Sequence, residues 1–196
     1  MRWDIINYLI DVNGYADYLE IGVQDYYSCC DKITAKNKTT VDPAPRNKCD
    51  YVMTSDSFFK HLDPETKYDI VFIDGLHHKE QVLRDIENSL KHLKEGGTIV
   101  VHDCLPTTEE MQRRNDNGGP WMGDVWKSIV HLKAVREDLS VATVDHDCGC
   151  AIIKIGNQSP IFVDMADFEW KGYCANRDQW LNVISYDNFI ETYGKA

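Results

Sequence analysis

Short runs of β-branched and aliphatic residues alternate with longer segments of helical periodicity along most of the chain. This alternation is typical of a parallel sheet that carries helices on both faces. The clearest helix is predicted over residues 79–93, where Val82, Ile86 and Leu90 recur at helical spacing. The predicted strands are 18–21, 38–41, 68–73, 98–101, 140–144 and 150–155, and the predicted helices are 4–12, 26–34, 57–62, 79–93 and 123–139.

The last two predicted strands differ from the others in how they are connected. Only residues 145–149 separate them, and a connection of hairpin length requires an antiparallel pair. We therefore expect an α/β fold with a Rossmann-like, doubly wound and mostly parallel sheet that ends in an antiparallel hairpin.

Two segments fall outside this alternation. Residues 106–120 are polar and turn-rich, and they follow the carboxyl end of a strand, where open α/β sheets hold their ligands. Residues 157–196 are too aromatic for a disordered tail. We predict one domain over residues 1–156 and a tail over 157–196 that packs as a cap or as an oligomer contact, which makes a homodimer a candidate assembly.

Composition and charge narrow the classes of partner. The 196 residues include 21 Lys and Arg against 32 Asp and Glu, a formal net charge of −11 that repels nucleic acids and anionic membranes. No aliphatic run approaches the roughly 18 residues that span a bilayer, and the first residues do not resemble a signal peptide. Seven cysteines without a CxxC pair indicate reduced thiols rather than a zinc site, so we expect a cytoplasmic protein.

A candidate cofactor site begins at the end of the first predicted strand, where Glu20 is followed by Gly22. Glycine there lets the backbone approach a ligand, although an ordinary turn is the alternative. Asp42 ends the second strand, at the spacing that places a carboxylate against the ribose of an adenosine cofactor. Ser55 and Asp56, after the segment where a third strand is expected, could bond an adenine amino group or cap the next helix.

Ionisable residues also end two later strands. Asp74 and His77 follow one of them, and His102 and Asp103 follow the next. Neighbouring parallel strands lie about 4.8 Å apart, so these ends converge. Asp74, His102 and Asp103 could then hold Mg²⁺ or Mn²⁺. Alternatively, His102 and Asp103 orient the loop or take part in acid–base chemistry, and Asp74 caps a helix beside solvated histidines.

These residues together give the chain a resemblance to class I S-adenosylmethionine-dependent methyltransferases over residues 18–156. Within that class it most resembles the small group related to macrolide-sugar, antibiotic and glycan-modifying O-methyltransferases. The resemblance implies a seven-stranded sheet and an S-adenosylmethionine-binding domain over residues 1–156. Its motifs are Glu20-x-Gly22, Asp42, Ile73-Asp74-Gly75-x-His77-x-x-Glu80 and Gly96-Gly97-x-Ile99-x-x-His102-Asp103.

The resemblance also implies roles for single residues in holding the cofactor. Glu20 and Gly22 would lie at its methionine end, together with Asp74. Asp42 would bind its ribose, and Ser55 and Asp56 would lie near its adenine.

For the chemistry, the resemblance implies a set of metal ligands and a base. Metal-dependent relatives bind their ion through residues at the positions of Asp74, His102 and Asp103. Relatives with an aspartate base carry it at the position of Leu76. Leucine cannot accept a proton, so His77 becomes the candidate base beside Asp74 and Asp103.

The function implied is methyl transfer to a hydroxyl of a sugar or glycan, assisted by a divalent cation. Residues 106–120 would roof the acceptor, with Trp121 and Trp126 as apolar platforms unless they only pack the following helix. An NAD-dependent oxidoreductase could use the same Asp42, but the chain lacks a GxGxxG motif and has the terminal hairpin. Two further hypotheses are a methyltransferase of a non-sugar small molecule and a non-catalytic binding module.

Overall fold

The computed structural model describes residues 1–164 and 168–194, which form one sheet with helices on both faces. The strands are β1 (Asp17–Ile21), β2 (Asn37–Val41), β3 (Tyr68–Ile73), β4 (Leu93–Val101), β5 (Leu139–Val144), β6 (Cys150–Ile155) and β7 (Val183–Ile184). The α-helices are α1 (Arg2–Asn13), α2 (Ser55–His61), α3 (Lys79–Lys91), α4 (Val125–Val135), α5 (Trp170–Leu181) and α6 (Tyr186–Tyr193).

The strands follow the order β2-β1-β3-β4-β6-β5-β7 across the sheet. Among the described strands, β6 alone is antiparallel to its neighbours β4 and β5, and every other pairing is parallel. The predicted Rossmann-like, doubly wound sheet with its terminal hairpin is therefore confirmed. Side chains alternate across the strands, so each face of the sheet carries its own apolar core.

The sheet has the seven strands that the resemblance implies. One of them, however, does not come from the segment between β2 and α2 where a third strand is expected. In the segment where a third strand is expected, Tyr51 makes only an isolated bridge with Val41. Pro43 and Pro45 lack the backbone N–H that a ladder needs. Instead β7 pairs with β5 at the opposite edge. The predicted boundary at residue 156 therefore leaves one strand of the sheet in the tail.

The predicted helix over residues 26–34 is wrong. The segment forms two short 3₁₀ turns, Tyr26–Ser28 and Cys30–Lys32, separated at Cys29 by a non-helical backbone with φ −139° and ψ −64°. Cys29 and Cys30 are both buried in the core beneath α1. The break at Cys29 lets both of these adjacent thiols pack inward.

Most aromatic residues of the described tail pack into or against the two cores, whereas Phe162 is 90% exposed. Tyr173 and Trp180 surround the fully buried Trp126, whereas Phe189 packs on the other face of the sheet with α1. Trp126 is therefore a packing residue and not an acceptor platform. Of the predicted tail, residues 165–167 and 195–196 lie outside the described part of the chain.

The candidate site lies along the edge of the sheet that is formed by the carboxyl ends of its parallel strands. The carboxyl ends of β1, β2, β3 and β4 meet there, and the turn between β5 and β6 joins them. The amino end of α1 brings Arg2 to the same edge. Across residues 1–164 and 168–194, no helix has the length and apolar character needed to span a membrane.

Candidate active site

A cavity of about 650 Å³ opens at this edge of the sheet. Four of the residues predicted to bind a cofactor line it, namely Gly22, Asp42, Ser55 and Asp74. Its volume lies within the usual range for a small-molecule site, about 300–1,000 Å³. The ends of β1, β2 and β3 thus form one pocket with the start of α2, as the sequence predicts.

Gly22 lies at a point of the pocket wall where two backbone segments pack closely. Its backbone has φ +88°, and its N–H donates to the carbonyl of Val41 over 2.8 Å. A Cβ atom on this residue would lie 2.2 Å from the carbonyl oxygen of Asp74. No side chain fits in that space, so the glycine allows β1 and β3 to end against each other.

Asp42 is held in place by backbone donors. Its Oδ2 atom accepts from the N–H of Gln24 over 2.9 Å, and its Oδ1 atom accepts from the N–H of Ala44 over 2.7 Å. A carboxylate can accept about four hydrogen bonds. The two bonds therefore fix the orientation of Asp42 and leave acceptor capacity for a ligand hydroxyl in the cavity.

The end of the cavity formed by the start of α2 differs in detail from the prediction. Thr54 caps α2 through a bond from the Ser57 N–H, so neither Ser55 nor Asp56 is the cap. Asp56 is half exposed, pairs with Arg84 and is not among the residues that line the cavity.

Two lining residues at this end were missed by sequence reasoning. Gln81 donates to Ser55 Oγ over 3.1 Å and to Asp85 Oδ1 over 3.0 Å. Burial raises the pKa of Asp85 to about 6. Both residues lie on α3, where they resemble the polar face of an ordinary amphipathic helix. They add hydrogen-bonding groups to the part of the cavity around Ser55.

Glu20 lies behind the cavity rather than among the residues that line it. It is 1% exposed, and its Oε2 atom accepts a hydrogen bond from the Tyr18 hydroxyl over 2.6 Å. Burial raises the pKa of Glu20 to about 7. A neutral or partly ionised carboxyl group thus forms part of the support under the glycine turn.

The ends of β3 and β4 bring together the predicted ionisable cluster. His77 Nε2 lies 3.3 Å from Asp74 Oδ1 and 3.4 Å from Asp103 Oδ2. His102 Nδ1 lies 3.3 Å from Asp74 Oδ1 and 3.2 Å from Asp103 Oδ1. Two carboxylates therefore alternate with two imidazoles, as expected from the convergence of the strand ends.

This alternation changes the acid–base properties of the cluster. Burial lowers the pKa of His102, but the charges and hydrogen bonds of Asp74 and Asp103 outweigh it and raise the pKa to about 10. For Asp74, burial acts to raise the pKa, but His102 and His77 hold it well below its ordinary value. Asp74 is therefore an ionised hydrogen-bond acceptor rather than a proton acceptor.

His77 is the member of the cluster best placed for proton transfer. Burial lowers its pKa, but Asp74 and Asp103 raise it above the ordinary 6.5. Its Nε2 faces the two carboxylates, whereas its Nδ1 is buried without a hydrogen-bond partner in the described residues. The ring stacks on Trp121 with centroids 4.6 Å apart.

The predicted roof of the acceptor site reaches the cavity. Asp116 and Gly119 from residues 106–120 line it together with Trp121 and the half-exposed Leu76. The carbonyl of Arg114 lies 2.8 Å from His78 Nε2 and ties this loop to the start of α3. Polar and apolar surfaces therefore face the cavity beside His77.

Arg2 is a third lining residue that sequence reasoning missed. Its Nη1 donates to Asp74 Oδ2 over 2.9 Å and lies 3.0 Å from His102 Nδ1. Its backbone N–H donates to Asp147 Oδ2 over 2.5 Å. The predicted metal ligands, Asp74, His102 and Asp103, do offer three ligand atoms within 4.8 Å of one another, but the guanidinium lies among them.

Backbone strain is concentrated around this cluster. Asp103 has φ +60°, and Asp147 and Cys148 in the facing hairpin turn have φ +45° and +67°. Left-handed backbone is unfavourable for residues with a Cβ atom, and such strain accumulates at functional sites. The left-handed backbone at Asp103 directs its carboxylate toward His77 and His102.

The chain is similar to known proteins both in part of its sequence and in its fold. Residues 19–104 match a family model described as a methyltransferase domain, and no curated protein matches the sequence significantly. Similar solved structures include an O-methyltransferase from Bacillus cereus in complex with S-adenosylhomocysteine, at 15% identity, with 79% of this chain and 80% of that chain covered and a TM-score of 0.55.

Two further structures agree at the level of the fold. The O-methyltransferase TomG from Streptomyces achromogenes, involved in tomaymycin synthesis and solved with S-adenosylmethionine, is 15% identical, with 80% of each chain covered and a TM-score of 0.58. The Podospora anserina methyltransferase PaMTH1 is 14% identical, with 80% of this chain and 78% of that chain covered and a TM-score of 0.56.

The family match and the cavity coincide in the chain. The match runs from β1 to the residue after Asp103 and so includes Gly22, Asp42 and Asp74. These identities are low enough that the solved structures support the fold alone. The family match over residues 19–104 and the Rossmann-like fold of class I methyltransferases support an S-adenosylmethionine-dependent methyltransferase.

Proposed function

We propose that the chain methylates a hydroxyl group of a sugar or glycan and that His77 accepts the hydroxyl proton. The observation that carries this proposal is the position of His77, which is held by Asp74 and Asp103 at the edge of the cofactor cavity. The family match supports methyl transfer, whereas the acceptor and the base are our proposals.

S-Adenosylmethionine, when bound, supplies an electrophilic methyl group on a positively charged sulfur, and its departing thioether is neutral. The protein must therefore orient the acceptor oxygen and remove its proton. Asp42 would hold the ribose, and Ser55 would lie near the adenine. The carboxylate of Asp74, at the opposite end of the cavity from Ser55, would lie near the positively charged sulfur.

His77 would accept the proton through Nδ1. Since Nε2 faces the carboxylates of Asp74 and Asp103, it carries the proton that they bind, and Nδ1 keeps its lone pair. A buried polar atom without a partner is unfavourable, and a ligand hydroxyl would relieve that penalty once a small shift of the ring against Trp121 opened Nδ1 to the cavity. As the new carbon–oxygen bond forms, the hydroxyl proton would pass to this nitrogen.

A sugar acceptor fits the polar side of the cavity. The carboxylates of Asp103 and Asp116 can accept hydrogen bonds from hydroxyl groups, and Trp121 presents an aromatic ring beside them. A phenolic acceptor would instead rely on Trp121 and Leu76.

The acceptor can be identified by methyl transfer from labelled S-adenosylmethionine to a panel of free sugars, nucleotide sugars, glycans, phenols and amines. We expect alkali-stable label in one of the three carbohydrate groups and none in the amines. Label confined to phenols would replace the sugar acceptor by another small molecule. Label confined to amines would overturn hydroxyl transfer.

Asp42→Ala is expected to weaken S-adenosylhomocysteine binding by about tenfold to a hundredfold, because it removes hydrogen bonds made by a charged acceptor. Isothermal titration calorimetry would measure this change. The matched control is Asp11→Ala, which removes an exposed carboxylate on α1 and should leave the affinity unchanged. Equal affinities of the two variants would contradict the ribose role of Asp42.

The pH dependence of kcat reports the proposed base. His77 must be neutral to accept a proton, and its pKa is raised, so kcat should fall as the pH drops through a value above 6.5. Asp103→Asn removes one of the charges that raise this pKa and should move the acidic limb to lower pH. Asp116→Asn, without a contact to His77 among the described residues, should leave the limb in place. An acidic limb that stays at the same pH in Asp103→Asn would argue against His77 as the base.

A divalent cation does not fit this site as it is arranged. The three predicted ligands converge, but the Arg2 guanidinium contacts two of them, Asp74 and His102. The proton transfer described above therefore involves only side chains of this chain.

A further inference from the structure

We propose that Arg2 serves as the built-in cation of the Asp74–His102–Asp103 cluster and excludes a divalent metal ion from it. The proposal rests on the proposed function only for its consequence in catalysis. Metal binding itself can be tested without any methyl acceptor.

The distances place the guanidinium where a metal ion would have to bind. An ion held by Asp74 and His102 would lie about 2.0–2.6 Å from a ligand atom of each residue. Arg2 Nη1 lies 2.9 Å from Asp74 Oδ2 and 3.0 Å from His102 Nδ1, which are atoms of the same two side chains. The guanidinium and a metal ion cannot both occupy this space.

The position of Arg2 is fixed by the fold rather than by a flexible surface contact. Arg2 begins α1, whose Ile5, Ile6 and Leu9 are fully buried against the sheet. Its backbone N–H is bound by Asp147 in the strained hairpin turn. Its side chain is only 23% exposed. The backbone of Arg2 is therefore anchored beside the cluster, and its side chain reaches Asp74 from that point.

The charges around Arg2 favour one cation at this point. The carboxylates of Asp74 and Asp147 contact its guanidinium, with Arg2 Nε 3.8 Å from Asp147 Oδ2, and Asp103 lies beyond His102. Removing the guanidinium would leave Asp74 and Asp147 with His102 as their nearest cation, and this loss of charge compensation is unfavourable for partly buried carboxylates. A divalent ion would compensate that loss and could then use all three predicted ligands.

Arg2 is a positioning residue in this arrangement, because it acts through Asp74. By binding Asp74 Oδ2, it leaves Oδ1 for His77 Nε2. Because the two oxygens of Asp74 have different partners, the His77 ring that would accept the proton is held in one orientation. The same positive charge lies beside ionised Asp74, whose pKa is held low by His102 and His77.

Titration of the full chain with Mn²⁺, followed by electron paramagnetic resonance, tests the proposal. Arg2→Met should bind Mn²⁺ at least about tenfold more tightly than the wild type, or about 1.4 kcal/mol. Arg2→Lys keeps a cation and should exclude Mn²⁺ like the wild type. Arg136 precedes the amino end of β5, at the opposite end of the strands from the cluster. Arg136→Met should also leave Mn²⁺ binding unchanged.

Two results would overturn the proposal. One is tight Mn²⁺ binding by the wild type that Asp103→Asn abolishes, and the other is an Arg2→Met variant that binds Mn²⁺ no better than the wild type. Circular dichroism checks that each variant is folded. If Arg2→Met does not fold, Arg2→Gln, which retains a hydrogen-bond donor but no charge, takes its place with the same expected result.

Activity separates this proposal from the proposed function. With the identified acceptor, EDTA should leave wild-type methyl transfer unchanged, and Mn²⁺ should restore part of the activity that Arg2→Met loses. Loss of wild-type activity in EDTA would contradict the role of Arg2. Absence of methyl transfer to every acceptor, with the expected Mn²⁺ binding pattern, would contradict the proposed function alone.

Discussion

His77→Ala is expected to lower kcat about a hundredfold to ten-thousandfold, the usual contribution of a general base. The affinity for S-adenosylhomocysteine should stay within a few-fold of the wild type, because Gly22, Asp42 and Ser55 remain in place. Steady-state kinetics with the identified acceptor would measure the first change, and calorimetry would measure the second.

The matched control is His61→Ala, which removes an exposed histidine from α2. It should leave both quantities unchanged. Near-normal kcat in His77→Ala would transfer the base role to another group. A loss of cofactor affinity that accounts for the whole effect would make His77 a structural residue.

Gly22→Ala is expected to damage both the fold and the cofactor cavity. The added Cβ would lie 2.2 Å from the Asp74 carbonyl oxygen and 2.4 Å from the Gly75 Cα, both of which are backbone atoms. Overpacking and left-handed strain together should lower the free energy of unfolding by about 2–5 kcal/mol. Because the same atoms form the pocket, S-adenosylhomocysteine binding should also be lost.

Gly14→Ala is the matched control for this substitution. Gly14 also has positive φ, +66°, but a Cβ there would have no neighbour within 4 Å. This variant should lose only about 1–2 kcal/mol of stability and keep its cofactor affinity. Chemical denaturation and calorimetry compare the two variants. Equal effects would show that backbone strain, and not the close approach of β1 and β3, explains the glycine.

Predictions from the sequence succeeded where one local pattern determines one element. The apolar spacing of Val82, Ile86 and Leu90 identified α3, and the five-residue connection identified the antiparallel hairpin. The ionisable cluster was also predictable, because Asp74 and Asp103 end neighbouring parallel strands.

Elements set by tertiary contacts were not predictable in this way. The two-residue β7 is too short to produce a pattern and pairs only because α5 delivers it to β5. Arg2 is 72 residues from Asp74, and nothing near it in the chain indicates a carboxylate partner. Asp85 is hidden similarly, since a buried acid on α3 has the same spacing as a solvent-facing one.

Titration of the wild-type chain with S-adenosylhomocysteine and, separately, with NADH tests the central claim most directly. A class I methyltransferase domain should bind one S-adenosylhomocysteine per chain and give no binding heat with NADH. Tight NADH binding without any response to S-adenosylhomocysteine would contradict the claim and assign the cavity to an oxidoreductase. No binding of either compound would indicate a non-catalytic module.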